Sequence, residues 1–169
     1  MRFSPIAISL SLMLATVSSS GFSQKPDAQI DPRSVALAGQ GSAAMKAGKL
    51  DDATGLYESA LAVDPRNRVA FIGLAEIARA QSLPGKAIRL YFSALAIEPS
   101  DVQALRGQGE AMVEKGAIER AKQNLARIKT ICRVECAAST QLAAVIAKGP
   151  PIPAVAAQAA GEAPTAKPN

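Results

Sequence analysis

From Asp31 onward the apolar and small residues of this chain fall at helical spacing. Ala121, Leu125 and Ile128 make one stripe, and Leu142, Val145 and Ile146 make another. No run alternates apolar and polar residues over the length a half-buried strand needs, so the fold class is all-α. Local signals place the ends of the helices. Asp31-Pro32 reads as an N-cap followed by proline in the first turn, opening a helix that runs to about Ala47 and stops at Gly48. Asp51 and Asp52 then sit in the first turn of the next helix, where carboxylates favour the positive end of the helix dipole. Ser82-Leu83-Pro84-Gly85 makes the same turn with other residues, Asp101 caps a further helix, and Gly116 closes it.

The pattern repeats. Pro65 and Pro99 are 34 residues apart, and the same step carries Gly41 to Ala75 to Gly109 and Ala53 to Ala87 to Ala121. It also carries Tyr57 to Tyr91 to Leu125 and Ala60 to Ala94 to Ile128. Small residues in the first two columns let paired helices approach closely. The tyrosines fill the space between one pair and the next, and the prolines end the second helix of each pair.

In these columns the chain resembles the tetratricopeptide repeat family, whose unit is a 34-residue helix pair. The units are 34–67, 68–101 and 102–135. The third departs from the pattern at Leu125, Ile128 and Arg133, as the end of an array would. The resemblance implies a right-handed α-solenoid of three helix pairs spanning 34–148, closed by a capping helix over 136–148. It also implies that the first helix of each pair lines a concave groove. Carried over by position, the first unit presents Val35, Ala38, Ser42, Met45 and Lys46 to a partner. The second presents Val69, Ile72, Glu76, Arg79 and Ala80, and the third Gln103, Arg106, Glu110, Val113 and Glu114. Val35, Val69 and Ile72 equally fit a core between neighbouring first helices, because periodicity does not separate core from groove. One subclass of the family grips a peptide's terminal carboxylate with Lys and Asn in its first unit and basic residues in its third. Ala38, Ser42, Gln103 and Gly107 stand at those positions here, so that clamp is missing.

The ends of the chain read differently. Arg2, the apolar stretch Ile6 to Val17 and the small-residue run Ser18 to Ser23 form the pattern of a secretory signal over 1–23. Cleavage after Ser23 fits best, with Ser20 as the alternative. The apolar stretch falls short of the ~20 residues that cross a bilayer, and no Cys follows it to take a lipid. Residues 24–33 read as a linker, and 149–169 as a Pro/Ala-rich tail without the apolar content to form a core. Export, to a bacterial periplasm or beyond the cell, places Cys132 and Cys136 where disulfides persist. A structural bridge fits them better than a redox pair, which uses Cys-x-x-Cys beside a βαβ pattern.

Composition narrows the chemistry. The 169 residues include no His, which removes His metal sites and Ser-His-Asp or Cys-His catalysis. Glu110 and Glu114 lie one turn apart, a spacing that serves acid-base work but is common on solvated helices. No cofactor and no metal are expected, and the chain reads as a non-enzyme. The net charge of +5 comes with only 4% aromatic residues, so nucleic acid is not an expected partner. Arg120, Lys122, Arg127, Lys129 and Arg133 form a basic run on two flanks of one helix. A solvated outer face is the plain reading; the alternative is a membrane-surface adaptor or regulatory subunit in which this run meets anionic lipid or an acidic partner. Open array ends leave self-association as a third reading. The leading expectation is an exported scaffold that binds a protein or peptide segment, in envelope, secretion or pilus assembly.

Overall fold

A computed structural model describes residues 30–151, all helix and turn, with seven helices among them. The signal segment 1–23, residues 24–29 of the linker and residues 152–169 of the tail lie outside the described residues. The helices are α1 (Pro32–Lys46), α2 (Leu50–Val63), α3 (Arg68–Ala80) and α4 (Pro84–Ile97). They continue with α5 (Val102–Glu114), α6 (Ile118–Cys132) and α7 (Ala137–Lys148). α1 starts inside the segment read as a linker, because the Asp31 carboxylate accepts from the Arg33 amide at 2.8 Å and caps Pro32 and Arg33 into the first turn.

Each of α1/α2, α3/α4 and α5/α6 packs as a pair, and each pair packs on the next. The first helices also touch in series, α1 on α3 and α3 on α5, while α2, α4 and α6 make no contact with one another. The stack therefore curves with its first helices on the inner side.

Why the repeat columns are small or aromatic follows from the contacts. Ala53, Ala60, Ala87, Ala94 and Ala121 have no exposed surface, and Tyr57 and Tyr91 are buried between successive pairs. Burying a ring of that size contributes on the order of 3 kcal/mol. A Cβ on Gly41 would lie 3.0 Å from the Tyr57 ring, so the crowding at this column comes from the tyrosine and not from a facing backbone. At Gly109 the crowding atom belongs to Leu142, on the helix that closes the array.

A further column, Gly39 to Gly73 to Gly107, holds the pairs together. A Cβ on Gly73 would stand 2.2 Å from Cζ of Tyr57, and one on Gly107 would stand 2.3 Å from Cζ of Tyr91. Each tyrosine thus sets the phenol end of its ring against a glycine of the next unit. Among the described residues no unit precedes Gly39, and it meets nothing within 4 Å.

Polar groups at unit boundaries are satisfied internally. Asn67 caps α3 by accepting from the Ala70 amide at 3.2 Å, and its Nδ2 donates to Ser34 Oγ at 2.8 Å. Ser34 in turn donates to the Ala60 carbonyl at 2.7 Å. One unit later Asp101 caps α5 through the Ala104 amide at 2.7 Å and forms an ion pair with Arg68. Asn124, buried on α6, donates to the Leu105 carbonyl at 3.0 Å and to Gln108 Oε1 at 2.9 Å.

The third pair ends differently because its chain turns differently. Arg133 occupies the proline column with φ of 60°, a left-handed conformation closed to proline. That turn sends the chain back over α5 and α6 as α7, whose Leu142 is fully buried. Cys132 and Cys136 are disulfide-bonded across it, with Cα atoms 6.2 Å apart. Ser139 Oγ and the Cys136 backbone then cap α7 reciprocally, at 3.2 and 2.8 Å.

Candidate functional site

The inner face carries the side chains that the family pattern assigns to a groove, and they divide into three groups. Val35 and Val69 are 55% and 51% exposed. Lys46, Ala80 and Gln103 are exposed too, and Ser42, Met45, Glu76, Arg79, Arg106 and Glu114 are half-buried. Ala38, Ile72, Glu110 and Val113 are buried. For Ile72, at 4% exposure, the core reading holds: its side chain packs with Ala75, Ala104 and Leu105 between the second and third pairs. Val113 likewise belongs to the core, with Met112 and Ala121.

The apolar end of this face contains a hollow of about 360 Å³ between the N-terminal halves of α1 and α3. Val35, Ala38, Gly39 and Ser42 face it from one helix at helical spacing. Val69 and Arg68 face it from α3, with Asn67 and Ile30 at its margins. Ile30, Gly39, Asn67 and Arg68 are not among the positions carried over from the family. The glycine column was a legible signal for Gly39, and the capping position before α3 was one for Asn67.

The charged end is occupied with itself. Arg79 on α3 reaches across to α5, with Nη1 donating to Glu110 at 2.5 Å and Nη2 to Glu114 at 2.6 Å. Arg106 donates to the other Glu110 oxygen at 2.7 Å, and Gln103 donates to Glu76 at 3.3 Å. Burial works against the Arg79 charge, but the hydrogen bond to Glu114 and the field of Glu110 more than offset it, so the guanidinium is held above its ordinary value. Burial also pushes the Tyr91 phenol, beneath this network, up to about 12. Glu110 and Glu114 therefore serve as anchors for an arginine that ties α3 to α5.

Residues 36–69 match the model of the tetratricopeptide repeat family. The array has the fold of a tetratricopeptide-repeat solenoid. The matched segment begins two residues after the unit boundary counted from the columns. Solved structures carry the likeness across the stack. The TPR domain of Sgt2 from Aspergillus fumigatus is 22% identical with a TM-score of 0.63, covering 82% of this chain and 90% of that one. The second TPR domain of human RPAP3, in complex with an HSP70 peptide, is 20% identical with a TM-score of 0.61, covering 67% and 94%. The type III secretion translocator chaperone SycD from Yersinia enterocolitica is 17% identical with a TM-score of 0.62, covering 68% and 81%. At these identities the likeness is one of fold. The comparison with curated proteins finds no match.

On the repeat's outer side, Arg120, Lys122, Arg127, Lys129 and Arg133 are all exposed. Lys122 pairs with Glu119 at 2.8 Å and Arg127 donates to the Pro99 carbonyl at 2.9 Å. No helix among the described residues is long and apolar enough to cross a membrane, and those residues contain no cluster of His, Cys, Asp or Glu that would hold a metal.

Proposed function

We propose that this chain is a protein-interaction scaffold, exported from the cytoplasm, that holds an apolar segment of a partner against the N-terminal half of its inner face. The observation that carries the reading is the open hollow between α1 and α3, where Val35 and Val69 remain half or more exposed although neighbouring apolar side chains are buried. Apolar side chains exposed together in a hollow rimmed by polar groups suit the apolar anchors of a bound segment. The Arg79 network supports the reading from the other side: with its charges mutually satisfied, it fixes the relation of α3 to α5 and leaves recognition to the apolar end. The peptide complex of the human RPAP3 domain adds analogy of fold. Without the carboxylate clamp, the segment bound here is gripped by its apolar side chains and not by its terminus. Export fits the signal pattern of residues 1–23 and the Cys132–Cys136 bridge.

The test uses a photo-crosslinking amino acid at position 69, in cells of the source organism. Discrete protein adducts are expected that disappear when Val35 is replaced by Glu, with helical circular dichroism unchanged because the side chain is exposed. The same probe at Glu58, on the outer helix, is the control; matching adducts there, or adducts indifferent to Val35→Glu, would reject the surface. Export is read separately, from the N-terminal sequence of the mature protein, which is expected to begin at Gln24.

A further inference from the structure

The outer helices differ sharply in charge. α2 exposes Asp51, Asp52 and Glu58, whereas α4 carries Lys86 and Arg89 with no acid within it. α6 carries Arg120, Lys122, Arg127 and Lys129 against Glu119 alone. Because α4 and α6 do not touch, a furrow separates them. At one end of it lies a hollow of about 400 Å³ lined by Gly85, Ile88, Arg89, Lys115, Ala117 and Arg120. Three cations from three elements border this hollow, and no carboxylate does.

Among the described residues no carboxylate forms an ion pair with Arg89, Lys115 or Arg120. The Lys115 ammonium stands 3.5 Å from where a Cβ on Gly85 would lie, over the first turn of α4. α4 and α6 both begin at this spot, after Leu83 and Ala117, and neither start has a side-chain cap. The positive ends of two helix dipoles therefore add to the three cations. The nearby acid, Glu119, is exposed and paired with Lys122. A recess walled by low-dielectric helices focuses such a field and concentrates anions in it.

We propose that this hollow is a second docking site, distinct from the inner face, for a run of carboxylates in an acidic segment of a protein partner. Charge complementarity fixes the sign of the occupant, and shape fixes its kind. The cations border a recess between helices, which an extended chain enters and a bilayer plane does not. Lys122 and Lys129 lie about half a turn away from Arg120 on the opposite flank of α6, so one plane cannot meet both sets. Farther along the furrow lies a second hollow of about 660 Å³, bordered by Glu98 and Arg127, where Pro99, Ala126 and Ile131 give apolar purchase to the residues beyond the acidic run.

The experiment is fluorescence anisotropy of a labelled hexaglutamate peptide with the purified protein at low salt. Saturable binding is expected. Arg89→Glu combined with Arg120→Glu should weaken it at least about tenfold, since paired charges across a binding surface are strongly coupled. Lys122→Glu combined with Lys129→Glu makes the same change in net charge on the other flank and should leave affinity within about twofold. All four positions are exposed, and circular dichroism checks each variant's fold. Equal weakening by both pairs would show a response to net charge only and overturn the proposal, as would the absence of binding. Anionic phosphatidylserine vesicles that the protein binds through Arg89 and Arg120, with no peptide binding, would overturn it in favour of a lipid surface.

Discussion

The packing of a tyrosine on a glycine of the next unit makes a sharp prediction, because the same column contains its own control. Gly39, Gly73 and Gly107 sit at equivalent positions inside α1, α3 and α5. Replacing glycine by alanine inside a helix gains about 1 kcal/mol of propensity wherever there is room. At Gly39 the described residues leave room, since a Cβ meets nothing within 4 Å, so Gly39→Ala should stabilise by roughly 0.5–1 kcal/mol. At Gly73 the new methyl would lie 2.2 Å from Cζ of Tyr57, 2.4 Å from Cε2 and 2.6 Å from Cε1. The ring is buried, and a Cβ built on Gly41 would also stand only 3.0 Å from it, so α1 lies close to the ring and leaves it little room to move aside. Overpacking of this kind costs about 1–3 kcal/mol and sometimes more. Here the contact is shorter than any a relaxed core shows, which places the cost at the upper end, near ~3 kcal/mol. After the propensity gain, Gly73→Ala should destabilise by about 2 kcal/mol, and its difference from Gly39→Ala should be about 3 kcal/mol. Urea unfolding followed by circular dichroism measures both, as a shift of the midpoint at constant slope. Tyr57→Leu, which removes the ring, should make Gly73→Ala far less costly in the double variant. If the two glycine variants shifted stability in the same direction by similar amounts, the inter-unit packing described here would be wrong.

Three further outcomes follow from the turns and the termini of the stack. Ser82 holds φ of 59° at the position where the other units place Gly48 and Gly116, so Ser82→Gly should stabilise by about 0.5–1 kcal/mol in the same denaturation assay, the relief of left-handed strain exceeding the added chain entropy. The Asp64 carboxylate is held below its ordinary range, first by the Arg66 amide at 3.0 Å and, against some burial, by the Asp31 amide at 3.1 Å. A depressed folded-state value means its stabilisation is full above the unfolded pKa near ~4 and is lost as pH falls through the lower folded value. Thermal melting should therefore drop below about pH 4, and Asp64→Asn should shallow that dependence. Reducing the Cys132–Cys136 bridge should cost about 2 kcal/mol in the chain-entropy model and expose two titratable thiols. Protection from hydrogen exchange should fall first in α7.

Much of this architecture is written in the chain because a repeat states its rules more than once. A 34-residue period, small residues where helices touch, and capping residues at Asp31 and Asp101 each depend on local spacing, and local spacing is visible without coordinates. Even the missing proline at Arg133 has a local cause, since the turn there needs a positive φ. What the pattern could not divide was the inner face. Val35, Val69 and Ile72 are alike in apolar character and all fall on the inner helical face, yet two are exposed and one is buried. The difference arises because α5 lies over Ile72, whereas the faces of Val35 and Val69 open onto the hollow between α1 and α3. Charge behaved alike: Arg79, Glu110 and Glu114 lie 31 and 35 residues apart in sequence, and only stacking makes them one network. Sequence determined the helices and the columns through which they touch. Which surfaces remain open, and which charges are already satisfied, was decided by how neighbouring units cover one another, because exposure is a property of the assembled stack and not of any single helix.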